Sequence, residues 1–500
     1  MMIQNNAPAL SPLIFLFAGI TIPLIALKLQ SWAYRVALVA TLSSTIVSIF
    51  NVFSVLESGP VRYFFGGWPP PIGIEYVLDP LSAFITAVIN GITFIVLIHA
   101  GQIVKKEIPE HKRVPYYALV MLFLCGCNGI ILTGDFFNLY VFLEISSLAL
   151  YGIVAVGNKK SPISAFRYLI MGTVGGGFYL LGVGFLYIFT GSLNMADIQG
   201  ILPVLGSQPV VVVALSLMVL GLGIKMALFP LHGWLPDAYT HAPSASSSIM
   251  APIGIKIGAY GILRILLFVF GVKFVTQVFP IAQIITWLSA VGIIYGSILA
   301  ISQDEMKRML AYSSISQIGY IGLGIGLANP FGIIGAVLHI LNHGLMKACL
   351  FLVAGNFRMK LGHSNIKEFD ISLRKTMPWT TASFVAGSLA MVGIPPTVGF
   401  FSKWYLTLGT IENKSWIFLA VILFSSLLNA IYFFRIIEKI YFRSTNTKKE
   451  DENHHSLKSN EVTVSMLLPT LFLAGALFLL GLLNSFIVKG ILMKILPPGI

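Results

Sequence analysis

The sequence predicts an all-α polytopic membrane protein of about fourteen spans, with two inverted five-helix repeats and two broken helices. Three observations lead there. The 500 residues are 56% hydrophobic and only 10% charged, with a mean hydropathy of +0.87, whereas a soluble domain carries about 25% charged residues. Apolar runs long enough to cross a hydrocarbon core about 30 Å thick recur along the whole chain. Lys and Arg gather in alternate loops, the pattern that orients a chain in a membrane. The net charge of +13 does not point to nucleic acid, because the basic residues form no basic domain with an aromatic platform.

Taken in order, the runs fall at about 10–29, 31–54, 78–102, 115–133, 136–156, 163–190, 210–240, 244–270, 278–300, 308–327, 331–355, 380–411, 415–441 and 463–490. The first, about Leu10 to Leu27, lacks a preceding basic region and a small-residue cleavage site, so it reads as a span and not as a removed signal peptide. Lys105, Lys106, Lys112 and Arg113 follow the third span, and Lys159, Lys160 and Arg167 flank the turn after the fifth. Lys307 and Arg308 precede the tenth span; Arg358, Lys360, Lys367, Arg374 and Lys375 follow the eleventh; Lys439, Arg443, Lys448 and Lys449 follow the thirteenth. The alternate loops hold only scattered Arg62, Lys273 and Lys414, and Gly191–Gln208 has neither Lys nor Arg. The basic loops are therefore expected on the cytoplasmic side of the cell (inner) membrane, with both termini outside. The outer loop Glu57–Tyr76 has room for a small hairpin. The inner segment 442–461 is polar and expected to be mobile; its His454 and His455 read as solvated. Cys125, Cys127 and Cys349 lie within apolar runs and read as small core residues. No loop is long enough for a catalytic domain.

The chemistry lies in charges inside the spans. Glu144 is the one carboxylate deep in a run. From a helix start at Phe136 it lies about eight residues, or roughly 12 Å, into the membrane. The deep basic groups are Lys225 in the seventh span, Lys256 in the eighth, His339, His343 and Lys347 in the eleventh, and Lys403 in the twelfth. Each lysine costs roughly 2.5–3.5 kcal/mol at the centre of a span. Lys347, toward a helix end, has the option of snorkelling to the interface; Lys225 and Lys256 are too far in. His339, His343 and Lys347 are four apart and form one stripe. Such a stripe can bind helices together by hydrogen bonds, or pass protons. It is no zinc-protease motif, because Ile340 stands where the glutamate would be.

Two runs contain breaks. Pro230 follows Lys225 by five residues, and Pro395 and Pro396 precede Lys403. A proline removes an amide donor, and the carbonyls it frees at membrane depth need a cavity or protein around them. Paired breaks in the seventh and twelfth spans, five spans apart, point to inverted repeats. The expected division is 1–114 (spans one to three), 115–270 (spans four to eight), 271–441 (spans nine to thirteen) and 442–500 (polar loop and span fourteen).

The stretches Gly134-Asp-Phe-Phe-Asn-Leu-Tyr-Val-Phe-Leu-Glu144, Phe229-Pro-Leu-His-Gly-Trp-Leu-Pro-Asp237, His339-Ile-Leu-Asn-His-Gly-Leu-Met-Lys-Ala348 and Gly393-Ile-Pro-Pro with Gly399-Phe-Phe-Ser-Lys403 carry a resemblance. The chain resembles the antiporter-like membrane subunits shared by respiratory complex I, membrane-bound hydrogenases and Mrp cation/proton antiporters. The resemblance implies that Glu144 pairs with Lys225, that Lys256 is central, that His339 and His343 link the halves, and that Lys403 stands near the outer exit. Lys347, His232 and Asp135 are secondary positions. One complex I subunit type has glutamate where Lys403 stands. Length, Lys403 and Thr190-Gly-Ser-Leu-Asn-Met-Ala-Asp197 are most similar to the D-type subunit of Mrp antiporters, a pattern that hydrogenase-associated subunits share.

The expected function is proton translocation along these residues within a multisubunit cation/proton antiporter, with Na+ as the exchanged cation. The expected partners are further membrane subunits, protons and the lipid bilayer, without nucleic acid, and no cofactor, metal site or catalytic residue is expected in this chain. Two alternatives stay open: a proton-pumping subunit of a redox-driven complex of the NADH-quinone oxidoreductase or hydrogenase type, and a structural membrane scaffold.

Overall fold

The computed structural model describes residues 2–157, 160–206, 208–442 and 460–497. The inner segment expected to be mobile lies, for the most part, outside the described residues, as do His454 and His455. Long helices cross the molecule side by side: α1 (Met2–Ala26), α2 (Trp32–Ser58), α3 (Pro80–Glu107), α4 (Glu110–Leu132), α5 (Phe136–Ala155) and α6 (Ser161–Thr190). A short α7 (Met195–Leu205) precedes α8 (Pro209–Met226), α9 (Leu235–His241) and α10 (Ser244–Leu263). Then follow α11 (Ile281–Ile301), α12 (Met306–Leu327), α13 (Pro330–Leu361), α14 (Ser372–Thr376), α15 (Pro378–Val392), α16 (Val398–Glu412), α17 (Trp416–Tyr441), α18 (Val464–Leu482) and α19 (Asn484–Gly490).

Twelve of these helices are long and apolar enough to cross a membrane. The other two predicted runs are α12, diluted by Lys307, Arg308, Gln317 and buried serines, and the pair α15–α16, which is two 15-residue halves. All fourteen runs are thus helical. The expected hairpin is present: β1 (Val61–Phe64) pairs antiparallel with β2 (Glu75–Leu78), Val61 opposite Leu78. The helix α7 corrects the reading of 191–208 as a plain loop. Asn194 caps it through the N–H groups of Ala196 and Asp197, and Ile198 and Leu202 bury its inner face. Eleven residues are too few to register as a span, so hydropathy missed it.

The core is arranged around α13 and α10. The apolar stretch of α13 is completely buried, and that of α10 nearly so, whereas α2, α6, α17 and α18 show more than half of theirs to the outside. With 32 residues, α13 is about 48 Å long, more than a hydrocarbon core needs. Close crossings bring the central helices together. A Cβ on Gly258 of α10 would lie 2.6 Å from the Met226 nitrogen, and one on Gly221 of α8 would lie 2.4 Å from the Gly175 carbonyl. Small residues permit such backbone approach where lipid supplies no hydrophobic drive between helices.

The loops after odd-numbered spans meet at one end. Arg358 bridges to Glu107, Arg167 and Arg308 both bridge to Asp237, and Lys367 bridges to Asp304. The hairpin, the α4–α5 corner and the loop before α7 meet at the other end, where Asn194 donates to Glu75 Oε1 at 2.7 Å. The alternation read from the sequence therefore coincides with two distinct ends of the fold.

Candidate functional site

Glu144 stands on α5, whose start at Phe136 is fixed by Asp135 accepting from the Asn138 N–H at 2.7 Å. Its Oε1 lies 3.8 Å from Lys225 Nζ, with side-chain exposures of 22% and 8%. Lys225 Nζ donates to Ser147 Oγ at 2.6 Å and to Tyr151 Oη at 3.4 Å. Ser147 and Tyr151 follow Glu144 by three and seven residues, so all three share one face of α5. Glu144 Oε1 has no hydrogen-bond partner among the described residues. Room for the carboxylate comes from Gly176 on α6, where a Cβ would sit 2.2 Å from Glu144 Oε1. The far end of a glutamate is flexible, so Gly176→Ala is expected to leave the fold intact but displace the carboxylate from Lys225. A misplacement near 1 Å lowers a positioned step by up to roughly a hundredfold. Proton transport in vesicles, set against normal assembly, checks this; an unchanged rate would show that the pairing does not matter.

Lys225 is on the last turn of α8, where a cation favours the negative end of the helix dipole. The helix ends at Met226 and Ala227 takes a left-handed φ of 59°. The freed carbonyls are taken up locally. Ile224 O accepts from the Ala227 N–H at 3.1 Å and from Trp234 Nε1 at 2.9 Å. Pro230 sits inside the irregular link to α9. The second break is built otherwise: α15 ends at Val392, Gly393 has φ 89°, and Pro395 and Pro396 lie in the link to α16. There Lys403, on the far side of the break, donates from Nζ to Met391 O at 3.0 Å, Val392 O at 2.9 Å and Ser426 Oγ at 3.1 Å. Thus Lys225 precedes its break and Lys403 follows its own.

Between the breaks lies a buried basic line. Lys256 is 1% exposed and donates to Ala251 O at 2.6 Å. Lys347 is completely buried and donates to Leu310 O at 2.6 Å and Ser313 Oγ at 2.5 Å, so it does not snorkel to an interface. His343 is within electrostatic range of Lys256, Lys347 and His339. Neither of its ring nitrogens has a hydrogen-bond partner among the described residues, and buried polar atoms of this kind are those that ordered water satisfies. The His339 ring stacks 5.9 Å from that of His343. His339 Nδ1 is 2.9 Å from Ser402 Oγ and Nε2 is 3.1 Å from Gln317 Oε1, which places it one residue along the chain from Lys403. Gln317 Oε1 only accepts, so His339 carries its proton on Nε2 and presents Nδ1 to Ser402 as the acceptor, while both tautomers of His343 are open; each ring can take a proton on one nitrogen and release it from the other.

Two secondary positions stand apart from this line. Asp135 is a helix cap bonded to the start of α5; burial pushes its carboxyl above the usual range. His232 stacks on Phe229 with ring centroids at 5.5 Å and meets Tyr295 edge-on at 5.1 Å. Conversely, the structure adds groups that the sequence reading passed over. Gln317 and Ser402 hold His339, and Ser313, four residues before Gln317, holds Lys347. Spacing gave a signal here, because Ser313 and Gln317 are polar at i and i+4 in an apolar run. Lys307, read as a loop residue, is fully buried and donates to Ala242 O at 2.5 Å.

Comparison with known proteins gives the family and the fold. Residues 133–429 match the family model described as NADH:quinone oxidoreductase/Mrp antiporter, TM. The chain is 45% identical over 466 residues to the N-type subunit of the NADH-quinone oxidoreductase of Desulforudis audaxviator, covering 92% of each chain. It is 30% identical over 481 residues to the D-type subunit of the Na(+)/H(+) antiporter of Alkalihalophilus pseudofirmus, covering 96% of this chain and 94% of the relative. Among solved structures, it superposes on a chain of the archaeal membrane-bound sulfane sulfur reductase with a TM-score of 0.89, at 29% identity and 98% coverage of each. A chain of the Mrp complex from Dietzia shares the fold at a TM-score of 0.88 and 23% identity, covering 99% of this chain and 97% of that one. The chain belongs to the NADH:quinone oxidoreductase/Mrp antiporter transmembrane family, as an antiporter-type membrane subunit.

Proposed function

We propose that the chain conducts protons across the cell membrane as one subunit of a larger complex, along Glu144, Lys225, Lys256, His343, His339 and Lys403, with Lys347 beside the line. The observation that carries this reading is the Glu144–Lys225 pair at 3.8 Å, followed by a buried series of nitrogen bases that reaches the second helix break. Closing the pair stabilises both charges. Opening it leaves an ammonium without its counter-charge in low-dielectric surroundings, which is costly, and passing the proton on to Lys256 relieves the cost. The two histidines then carry it to Lys403. The titrations are coupled, so the line works as a unit. Glu144 is 22% exposed on a helix at membrane depth, a position that a neighbouring subunit would cover. In this reading 115–270 and 271–441 are the two inverted repeats, and the basic loops face the cytoplasm.

Of the driving machines, a redox-coupled complex is favoured by the 45% identity to an NADH-quinone oxidoreductase subunit over 92% of both chains. Exchange against Na+ is the second reading, favoured by the Na(+)/H(+) antiporter relative that spans 96% of this chain. Sodium prefers oxygen ligands, and the deep line offers one carboxylate among nitrogens, so a sodium site would fall largely in partner subunits. Inverted vesicles carrying the native complex separate the readings. Acidification driven by an electron donor and insensitive to Na+ supports the first; a proton flux released by added Na+ without any donor supports the second. Neither flux, in vesicles where the complex is intact, would leave the scaffold reading.

A further inference from the structure

At the hairpin end a cavity of about 190 Å³ opens beside Arg62, Glu75 and Gly134, and Asp79 and Arg264 also line it. These last two form a two-pronged ion pair, Arg264 Nη1 to Asp79 Oδ2 at 2.5 Å and Nη2 to Oδ1 at 2.9 Å, with the Arg264 and Asp79 side chains only 12% and 17% exposed. Asp79 Oδ1 also accepts from the Ser82 N–H at 2.8 Å as the cap of α3. Arg264 begins the wide-turn π-helical continuation of α10, 264–270. Its Nε and Nη2 donate to Tyr260 Oη at 3.1 and 2.8 Å, and the Tyr260 hydroxyl donates to Ile131 O at 2.5 Å.

Lys256, Tyr260 and Arg264 are spaced by four on one helix and so form a stripe. It leads from the centre of the membrane to the cavity over eight residues, about 12 Å. A proton on Lys256 would have a short way out here, in place of the long way through the histidines. Lys256 Nζ, however, bonds to Ala251 O and not to Tyr260, and the hydrogen bonds from Tyr260 onward end blind. The Tyr260 proton is committed to an amide carbonyl, which has no proton of its own to hand on. The lone pairs of that hydroxyl are occupied by Arg264. A guanidinium has five donors and no acceptor, and it does not release its proton in a protein. Both Asp79 oxygens are held by Arg264. A buried ion pair is weak evidence of added stability, since desolvation offsets much of its attraction. Its blocking geometry therefore needs another reason.

We propose that the Asp79–Arg264–Tyr260 cluster is a proton seal at the hairpin end of the first half, which forces charge on Lys256 sideways to His343, His339 and Lys403. This rests on the proton-conducting reading above. The test uses the whole complex in proteoliposomes with an imposed pH gradient and no driving reaction. Arg264→Gln, whose amide both donates and accepts, is expected to let the gradient decay several-fold faster than in the native complex, and adding Lys256→Met to Arg264→Gln is expected to restore the native decay. Asp79→Asn is the second route to the same leak, should Arg264→Gln fail to assemble. Native decay rates in assembled Arg264→Gln or Asp79→Asn complexes would overturn the proposal. So would a leak that survives Lys256→Met, and so would failure of both single variants to assemble, which marks the pair as a plain structural clamp. Glu144→Gln measured alongside under the driving reaction keeps the two questions apart: if that variant transports normally, the underlying reading is what has failed.

Discussion

Glu144→Gln is expected to lower driven proton transport by roughly a hundredfold or more, the range that loss of a positioned acid–base group produces, while the complex assembles normally. The amide fits the same space, since the room next to Gly176 is set by the size of the carboxylate and not by its charge. Glu144 Oε1 has no hydrogen-bond partner among the described residues, so no bond is lost there when the acid becomes an amide. What is lost is the counter-charge 3.8 Å from Lys225. A buried ammonium left with only Ser147 and Tyr151 costs about 3–5 kcal/mol if it stays charged. Lys225 can avoid that cost by giving up its proton, which spares the fold and leaves the first station of the line permanently empty. Gel filtration of the complex together with pH-gradient formation in vesicles measures both halves of the expectation. A scaffold would show the reverse: weakened assembly and, in whatever complex forms, undiminished transport. That reverse outcome would sink the proton-path reading.

The parts of this site that were legible in the sequence are those a membrane makes expensive. One carboxylate and several lysines inside apolar runs stand out because each costs free energy there. The stripe His339–His343–Lys347 stands out because a helix repeats its face every three to four residues. The breaks at Pro230 and at Pro395–Pro396 are visible because proline cannot continue a hydrogen-bonded helix. Contacts between distant segments were not legible. Asp79 and Arg264 are 185 residues apart, and neither looks unusual at the end of its run. Lys307 sits at the start of α12 like any loop lysine, and only the packing of α9 and α12 buries it against Ala242. Asp135 drew attention as an acid beside the key helix, but one hydrogen bond to Asn138 explains it as a cap. Lys347 could have reached an interface by length alone; α12 closes over it instead, through Leu310 and Ser313. A residue's cost can be read along the chain, whereas its partner is a property of the fold.

Lys403→Arg is expected to leave the complex folded and to abolish transport, again by roughly a hundredfold or more. Lys403 does two things at the second break, and arginine separates them. Its ammonium holds the Met391 and Val392 carbonyls, which the end of α15 leaves without helical partners, and Ser426 of α17. Removing that donor, as in Lys403→Ala, leaves buried acceptors unsatisfied at about 1–3 kcal/mol each, so a lost activity in the alanine variant would not distinguish a broken path from a loosened helix. Arginine keeps a cation with more donors at the same carbonyls, and Gly393 beside it has no Cβ to obstruct the larger head. It does not, however, release a proton in a protein. The melting temperature of the complex should therefore stay near the native value in Lys403→Arg and fall in Lys403→Ala, while proton transport is lost in both. Transport that continues in the arginine variant would mean that the proton leaves the His339–Ser402 corner by another way, and that Lys403 serves only to close the broken helix.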